Sequence, residues 1–205
     1  MTYKNITFYT QNSIRVATPA GNVYFDTFRM EDAPHDAAVV FVTHEHYDHF
    51  SPEDIAKVCC SDTVLVVPEA MSEKAREASG LVKEIVTVCP NGKYEVCGLT
   101  FETVPSYNLP PKTFHPQSAQ WVGYILTVDG ERIYVAGDSD ATDEARAVKC
   151  DIALLPIGGK YTMNAEEAAA LVNAMDFKYV IPTHFFDPGA KDVFRAGVKG
   201  EKTVL

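Results

Sequence analysis

The sequence predicts a mixed α/β fold in which two sheets are covered by helices, and three observations carry that expectation. Short strand-like runs arrive in groups, a few helix signals lie between the groups, and several runs are apolar without interruption, as strands buried on both faces are. The 205 residues suit a single domain, 1–205, long enough to bury a good core. Hydrophobic residues make up 46% and charged residues 22%, the balance of an ordinary globular chain.

The runs Ile6 to Tyr9, Ser13 to Ala17 and Val23 to Asp26 read as a meander, with turns at Gln11-Asn12 and Gly21-Asn22. Ala37 to Val42 is apolar throughout and reads as a buried strand. A helix follows, because Ser51 is a good N-cap, Pro52 suits the first helical position, and Glu53 and Asp54 suit the positive end of the dipole. Thr63 to Val67 is a further strand, and Glu69 to Ser79 a helix that Gly80 ends. Strands are expected at Glu84 to Val88, Lys93 to Cys97 and Leu99 to Val104. Gln120 to Val128 and Glu131 to Ala136 flank Asp129-Gly130, a dipeptide that tolerates the positive φ angles of a tight type I′ hairpin turn. A short helix near Thr142 to Val148 and a strand at Asp151 to Leu155 come next. Asn164 with Glu167 forms a capping box that opens a helix to about Met175, and Lys178 to Ile181 is the last strand. Beyond Pro188 the pattern is too weak to assign.

Bulk properties narrow the function. A net charge of −10 argues against general nucleic-acid binding, which needs a basic footprint. The five cysteines are odd in number and form no C-x-x-C pair, so they read as thiols in a reducing compartment. No apolar run is long enough to span a bilayer, and the start lacks the apolar core of a secretion signal. A cytoplasmic protein without membrane contact is expected, and nothing indicates its oligomeric state.

The chemistry concentrates at residues 44–49. Three of the six histidines fall there, in His44-x-His46-x-Asp48-His49, between the end of a strand and the Ser51 cap. Such positions are held firmly at one end and open to solvent at the other. In extended backbone, alternate side chains share a face, so His44 and His46 can grip one ion. The turn toward the helix then lets Asp48 and His49 point at a second. Imidazole and carboxylate suit zinc and similar divalent ions. The competing readings are a solvated polar loop and a structural metal site, but structural zinc usually takes cysteines, and the cluster holds none. A weak recurrence links the halves: strands run into Thr-His at Val42-Thr43-His44 and Pro182-Thr183-His184.

The cluster resembles the signature of the metallo-β-lactamase superfamily, and the resemblance covers essentially the whole chain. It implies a four-layer αβ/βα sandwich of two mixed sheets flanked by helices, with metals at one rim. Gly137-Asp138-Ser139-Asp140 looks like the segment supplying a bridging aspartate, which assigns that role to Asp138. Ile181-Pro182-Thr183-His184 looks like the last-histidine segment, so His184 joins Asp48 and His49. The family usually has a further histidine after a central strand; here Val104-Pro105-Ser106-Tyr107-Asn108 occupies that place. Either Asn108, a weaker zinc ligand, or His115 can complete the site with His44 and His46. If neither does, a single-metal enzyme results. Within the superfamily, Val104-Pro105-Ser106-Tyr107, Trp121-Val122-Gly123-Tyr124 and Ile157-Gly158-Gly159-Lys160-Tyr161-Thr162-Met163 look like the branch that includes L-ascorbate-6-phosphate lactonase.

The activity this implies is hydrolysis of a lactone, ester or amide of a small polar molecule. Two divalent ions, zinc first and manganese, iron or nickel as alternatives, would sit about 3.5–4 Å apart and share a water or hydroxide made acidic by them. Asp48 would orient that nucleophile and relay a proton. Tyr107, Asn108, Lys160 and Tyr161 are candidate substrate contacts. Phosphodiester cleavage, including RNA processing, is an alternative that the acidic composition counts against. A non-catalytic metal- or metabolite-binding protein is another. Electron transfer fits poorly, because diiron relatives of that kind carry glutamate where His46 stands and add a flavin module.

Overall fold

Alternating apolar and polar residues in the N-terminal runs build an antiparallel meander. Strands β1 (Thr2–Tyr3), β2 (Ile6–Phe8), β3 (Ile14–Thr18) and β4 (Gly21–Phe25) pair in order in the computed structural model, which describes residues 2–205. The sheet then continues in parallel through β5 (Ala37–Phe41), β6 (Cys59–Pro68) and β7 (Glu84–Val88). Parallel pairing needs crossover connections, and those from β5 to β6 and from β6 to β7 carry α1 (Pro52–Val58) and α2 (Ser72–Ala75).

The second sheet repeats the plan. Strands β8 (Lys93–Val96), β9 (Leu99–Pro105), β10 (Val122–Val128) and β11 (Glu131–Val135) are antiparallel. Strands β12 (Ile152–Pro156), β13 (Tyr179–Thr183) and β14 (Thr203–Val204) extend it in parallel. Helices α3 (Asp143–Ala147), α4 (Ala165–Ala174) and α5 (Gly189–Gly197) lie in its connections. Among the described residues both sheets have seven strands in simple sequence order.

Three apolar layers join these parts. Val39 and Phe41 of β5 pack between the sheets with Phe101, Tyr124 and Leu154. Val40 and Val42 face the other way, onto Ile55 of α1 and Met71 and Ala75 of the next connection. That two-sided burial is why β5 is apolar at every position. Tyr134, Ala153 and Leu155 turn outward onto α4 and onto Phe194 of α5. The result is helix, sheet, sheet, helix, the layered sandwich the sequence predicts.

Local signals act where expected. Asp54 N donates to Ser51 Oγ at 3.3 Å. Asn164 and Glu167 exchange side-chain and backbone hydrogen bonds of 2.8 and 2.9 Å. Asp129 and Gly130 take φ of 50° and 80° in the β10–β11 turn. Four boundaries differ. Gly21-Asn22 opens β4 instead of forming the turn. Strand β6 starts at Cys59, because Ala37 pairs with Cys59 and Thr63 Oγ1 donates to Ala37 O at 2.6 Å. The helix expected over Glu69 to Ser79 breaks into 3₁₀, α and 3₁₀ pieces, none with a side-chain cap. After Pro188 the chain forms α5 and adds β14 beside β13. No helix among the described residues is long and apolar enough to cross a membrane.

Candidate metal centre

Strand ends deliver the donors. His44 to His49 follow β5, His115 lies in the β9–β10 connection, Asp138 follows β11, and His184 follows β13. Although up to 140 residues separate them along the chain, His184 Nε2 lies 3.3 Å from Asp48 Oδ2 and 3.2 Å from Asp138 Oδ2. Donor atoms of His44, His46 and His115 all lie within 4.8 Å of one another, and so do those of Asp48, His49 and His184. Asp138 stands between these groups. Its Oδ2 is 3.3 Å from His115 Nε2 and 3.2 Å from His184 Nε2, and its Oδ1 is 3.4 Å from His49 Nε2.

The cluster is rigidly backed. Asp26, fully buried, accepts from His49 Nδ1 at 2.7 Å, from Thr43 N at 2.8 Å, from Thr43 Oγ1 at 2.7 Å and from Asn12 Nδ2 at 2.6 Å. This leaves His49 Nε2 to face the centre, the arrangement in which a carboxylate orients a metal-binding imidazole. Asp26 escapes sequence reasoning; its one signal is an acid ending a buried apolar strand. Trp121 closes a side wall, with its ring centroid 4.9, 5.0 and 5.6 Å from those of His44, His46 and His115.

Two glycines permit the approach of the segments. At Gly137, with φ of 65°, a Cβ would lie 2.9 Å from Thr43 Cβ. At Gly158 it would lie 2.3 Å from the carbonyl oxygen of His184. His184 itself has φ of 48°, the left-handed region that non-glycine residues rarely enter.

The structure separates the two residues that the sequence leaves as alternatives. Asn108 is buried; its Oδ1 accepts from His115 N at 2.9 Å and lies 3.2 Å from His115 Nδ1. Its Nδ2 donates to Tyr161 O at 2.9 Å. His115 Nε2 is thereby turned toward Asp138, and Asn108 stands behind it. Among the other candidates, the Tyr107 hydroxyl donates to Glu144 on α3 at 2.8 Å; burial and that carboxylate push its pKa to about 12. Lys160 is exposed, with Nζ 4.8 Å from the Tyr161 ring centroid, and Tyr161 is half-buried against Phe114.

Charge in the cluster is strongly coupled. Burial opposes ionisation of Asp138, yet His49 and His184 hold its carboxyl well below the usual range. Burial also opposes a charged His49, but Asp138 and Asp26 raise it well above an ordinary imidazole. Burial drives His44 well below, and the neighbouring His49 adds to that. His49 Nε2, His115 Nε2 and Asp138 Oδ1 are buried without a hydrogen-bond partner. Unsatisfied buried atoms are costly and rare, and these three belong to the gathered donor residues, so they fit cation binding there. The donor set, nitrogen and carboxylate oxygen without sulfur, fits a divalent ion of the zinc type.

A four-layer sandwich with such a cluster on its shared rim defines a class, the metal-binding αβ/βα enzymes. The profile of the Beta-lactamase superfamily domain matches residues 5–184. The chain is 32% identical over 196 residues to a UPF0173 metal-dependent hydrolase of Nitratidesulfovibrio vulgaris, covering 88% of this chain and 79% of that one. It is also 32% identical over 157 residues to a UPF0173 metal-dependent hydrolase of Pyrococcus abyssi, covering 73% and 67%. A solved structure from Parabacteroides distasonis ATCC 8503, assigned there as a metal-dependent hydrolase, superposes with a TM-score of 0.83 at 26% identity over 98% of this chain and 90% of that one. The chain belongs to the metallo-β-lactamase superfamily and is a metal-dependent hydrolase.

Proposed function

We propose that the protein hydrolyses a lactone, ester or amide of a small molecule with two divalent cations, zinc in first place. One would be held by His44, His46 and His115, the other by Asp48, His49 and His184, with Asp138 shared. The observation that carries this is the position of Asp138 Oδ2, 3.3 Å from His115 and 3.2 Å from His184, between two three-donor groups. When bound, such cations acidify water and polarise the oxygen of the bond to be cleaved.

The protein's own groups then have distinct tasks. Asp48 is half-buried; burial opposes its ionisation, but the bond from His184 keeps its carboxyl below the ordinary value. It is therefore an anion at neutral pH, able to accept a proton or orient a water at its free oxygen. Asn108 fixes the ring of His115. Lys160 and Tyr161 are assigned as substrate contacts, the exposed ammonium to a polar group and the ring to an apolar one. Tyr107, its hydroxyl occupied by Glu144, would reach substrate only by giving up that bond.

A lactonase-like substrate is the finer form of this reading. Of the branch motif Val104-Pro105-Ser106-Tyr107, Ser106 Oγ lies 3.0 and 3.1 Å from the carbonyl oxygens of Ala136 and Asp138. That serine fastens the segment of Asp138, so the motif speaks for the centre rather than for the substrate. Metal analysis followed by a screen of generic esters, lactones, amides and bis(p-nitrophenyl) phosphate tests the proposal. The expected result is carbonyl-compound turnover that a chelator removes and that His46→Ala and Asp138→Ala abolish in folded protein. Exclusive cleavage of the phosphodiester, or metal binding without turnover, would reject it.

A further inference from the structure

Exposed apolar side chains are concentrated around the metal centre. Among the described residues, six large ones are at least 40% exposed, and four of these stand on segments that carry or hold proposed ligands. Tyr47, 76% exposed, lies between His46 and Asp48, and Phe186, 68% exposed, lies two residues past His184. Phe114 precedes His115, and Leu109 follows Asn108. Single apolar residues scattered on a surface need no explanation, but a group of them around a polar cleft marks a binding site.

Ring geometry narrows what they bind. Tyr47 meets Phe28 at 5.8 Å and 77°, Phe186 meets the His184 ring at 6.2 Å and 83°, and Phe114 meets Tyr161 at 4.8 Å and 79°. Each contact is steep, which leaves ring surface free for a further stacking partner. The three rings stand on three different loops, after β5, between β9 and β10, and after β13, and the donors of those loops meet in one cluster. A molecule whose scissile carbonyl sits at the cluster places the substituent next to that carbonyl against these rings.

We propose that the rim formed by Tyr47, Phe114 and Phe186 selects substrates with an aromatic or similarly flat apolar group beside the hydrolysed bond. The inference rests on the hydrolytic reading and deepens it: the polar end of the molecule faces the donors, and the flat group faces the rim.

Hydroxamates coordinate zinc without being cleaved, so they separate recognition from turnover. Benzohydroxamate and acetohydroxamate are titrated calorimetrically into zinc-loaded protein. The aryl compound is expected to bind at least about tenfold more tightly, in line with burial of an aromatic ring. Tyr47→Ala and Phe186→Ala should bring the ratio of the two affinities toward one, whereas Val193→Ala, an exposed apolar position on α5, should leave the ratio as it is. Equal affinities in the unaltered protein overturn the proposal. Failure of every ester, lactone and amide to react, with the tenfold preference intact, removes the assigned bond and keeps the rim. Binding of neither hydroxamate overturns both.

Discussion

Asp26 Oδ2 lies 2.7 Å from His49 Nδ1 beneath the metal centre, and both side chains are completely withdrawn from solvent. The carboxylate sets the orientation of the ring and ties it to Thr43 and Asn12. Asp26→Ala should therefore lower zinc affinity by roughly 10–100-fold, as loss of an outer carboxylate does at histidine sites. Competition with a chromophoric chelator measures this, and urea unfolding should show a parallel loss of stability because the four donors that Asp26 accepts from lose that partner. Unchanged affinity would mean that His49 is oriented by something else.

Asn108 and His115 form a second such pair. Removing the amide in Asn108→Ala frees the His115 ring and should weaken the three-histidine group, again by about 10–100-fold. Cobalt(II) loading reports it through the visible absorption of the bound ion. If Asn108 were itself a ligand, Asn108→His would restore the original spectrum; if it positions His115, that variant would not.

Gly158 admits no side chain, since a Cβ would lie 2.3 Å from the backbone oxygen of His184. The expected outcome for Gly158→Ala is a displaced His184 and fewer tightly bound zinc ions per chain, read by elemental analysis after dialysis. Full zinc content in the variant would count against His184 as a ligand.

Zinc should stabilise the fold, because the unfolded chain has no assembled site. At a free concentration one hundred times Kd, the gain is about 2.7 kcal/mol. For a chain of this size that raises Tm by about 5–10 °C. Calorimetric scans with zinc and with a chelator measure the shift, and Asp138→Ala should show little of it.

Away from the centre, Asp54 makes a pH-dependent contribution. It accepts from Arg29 N at 2.9 Å, Met30 N at 3.0 Å, Ser51 Oγ at 2.9 Å and Lys57 Nζ at 2.9 Å. Burial opposes its ionisation, but these donors, Lys57 first, bring its carboxyl below the reference value of 3.8. A depressed carboxyl contributes stability that is complete above the unfolded pKa and is lost as pH falls through the folded one. Asp54→Ala should cost roughly 2–3 kcal/mol at pH 7, and the difference from the unaltered protein should shrink below pH 3.8. A difference independent of pH would assign the effect to packing.

Much of the architecture is legible from local signals. The two-sided apolar run of β5, the Ser51 cap, the Asn164 capping box and the Asp129-Gly130 turn act within a few residues, so the chain alone reveals them. Strand β14 and the early start of β6 are different. Thr203 and Cys59 become strand residues because Tyr179 and Ala37 offer them partners, and partners distant in sequence leave no local trace.

The same division holds at the centre. By itself the sequence determined the donor types at residues 44–49 and the order in which Asp138 and His184 follow, since residue type and spacing are properties of the chain. Only the tertiary structure decided that His115 faces Asp138 while Asn108 stands behind it, that Asp26 supports His49, and that Tyr47, Phe114 and Phe186 are left exposed on the loops whose donors meet. Each of these depends on which atoms the packed sheets bring within hydrogen-bond or van der Waals reach, a relation in space that no spacing along the chain encodes.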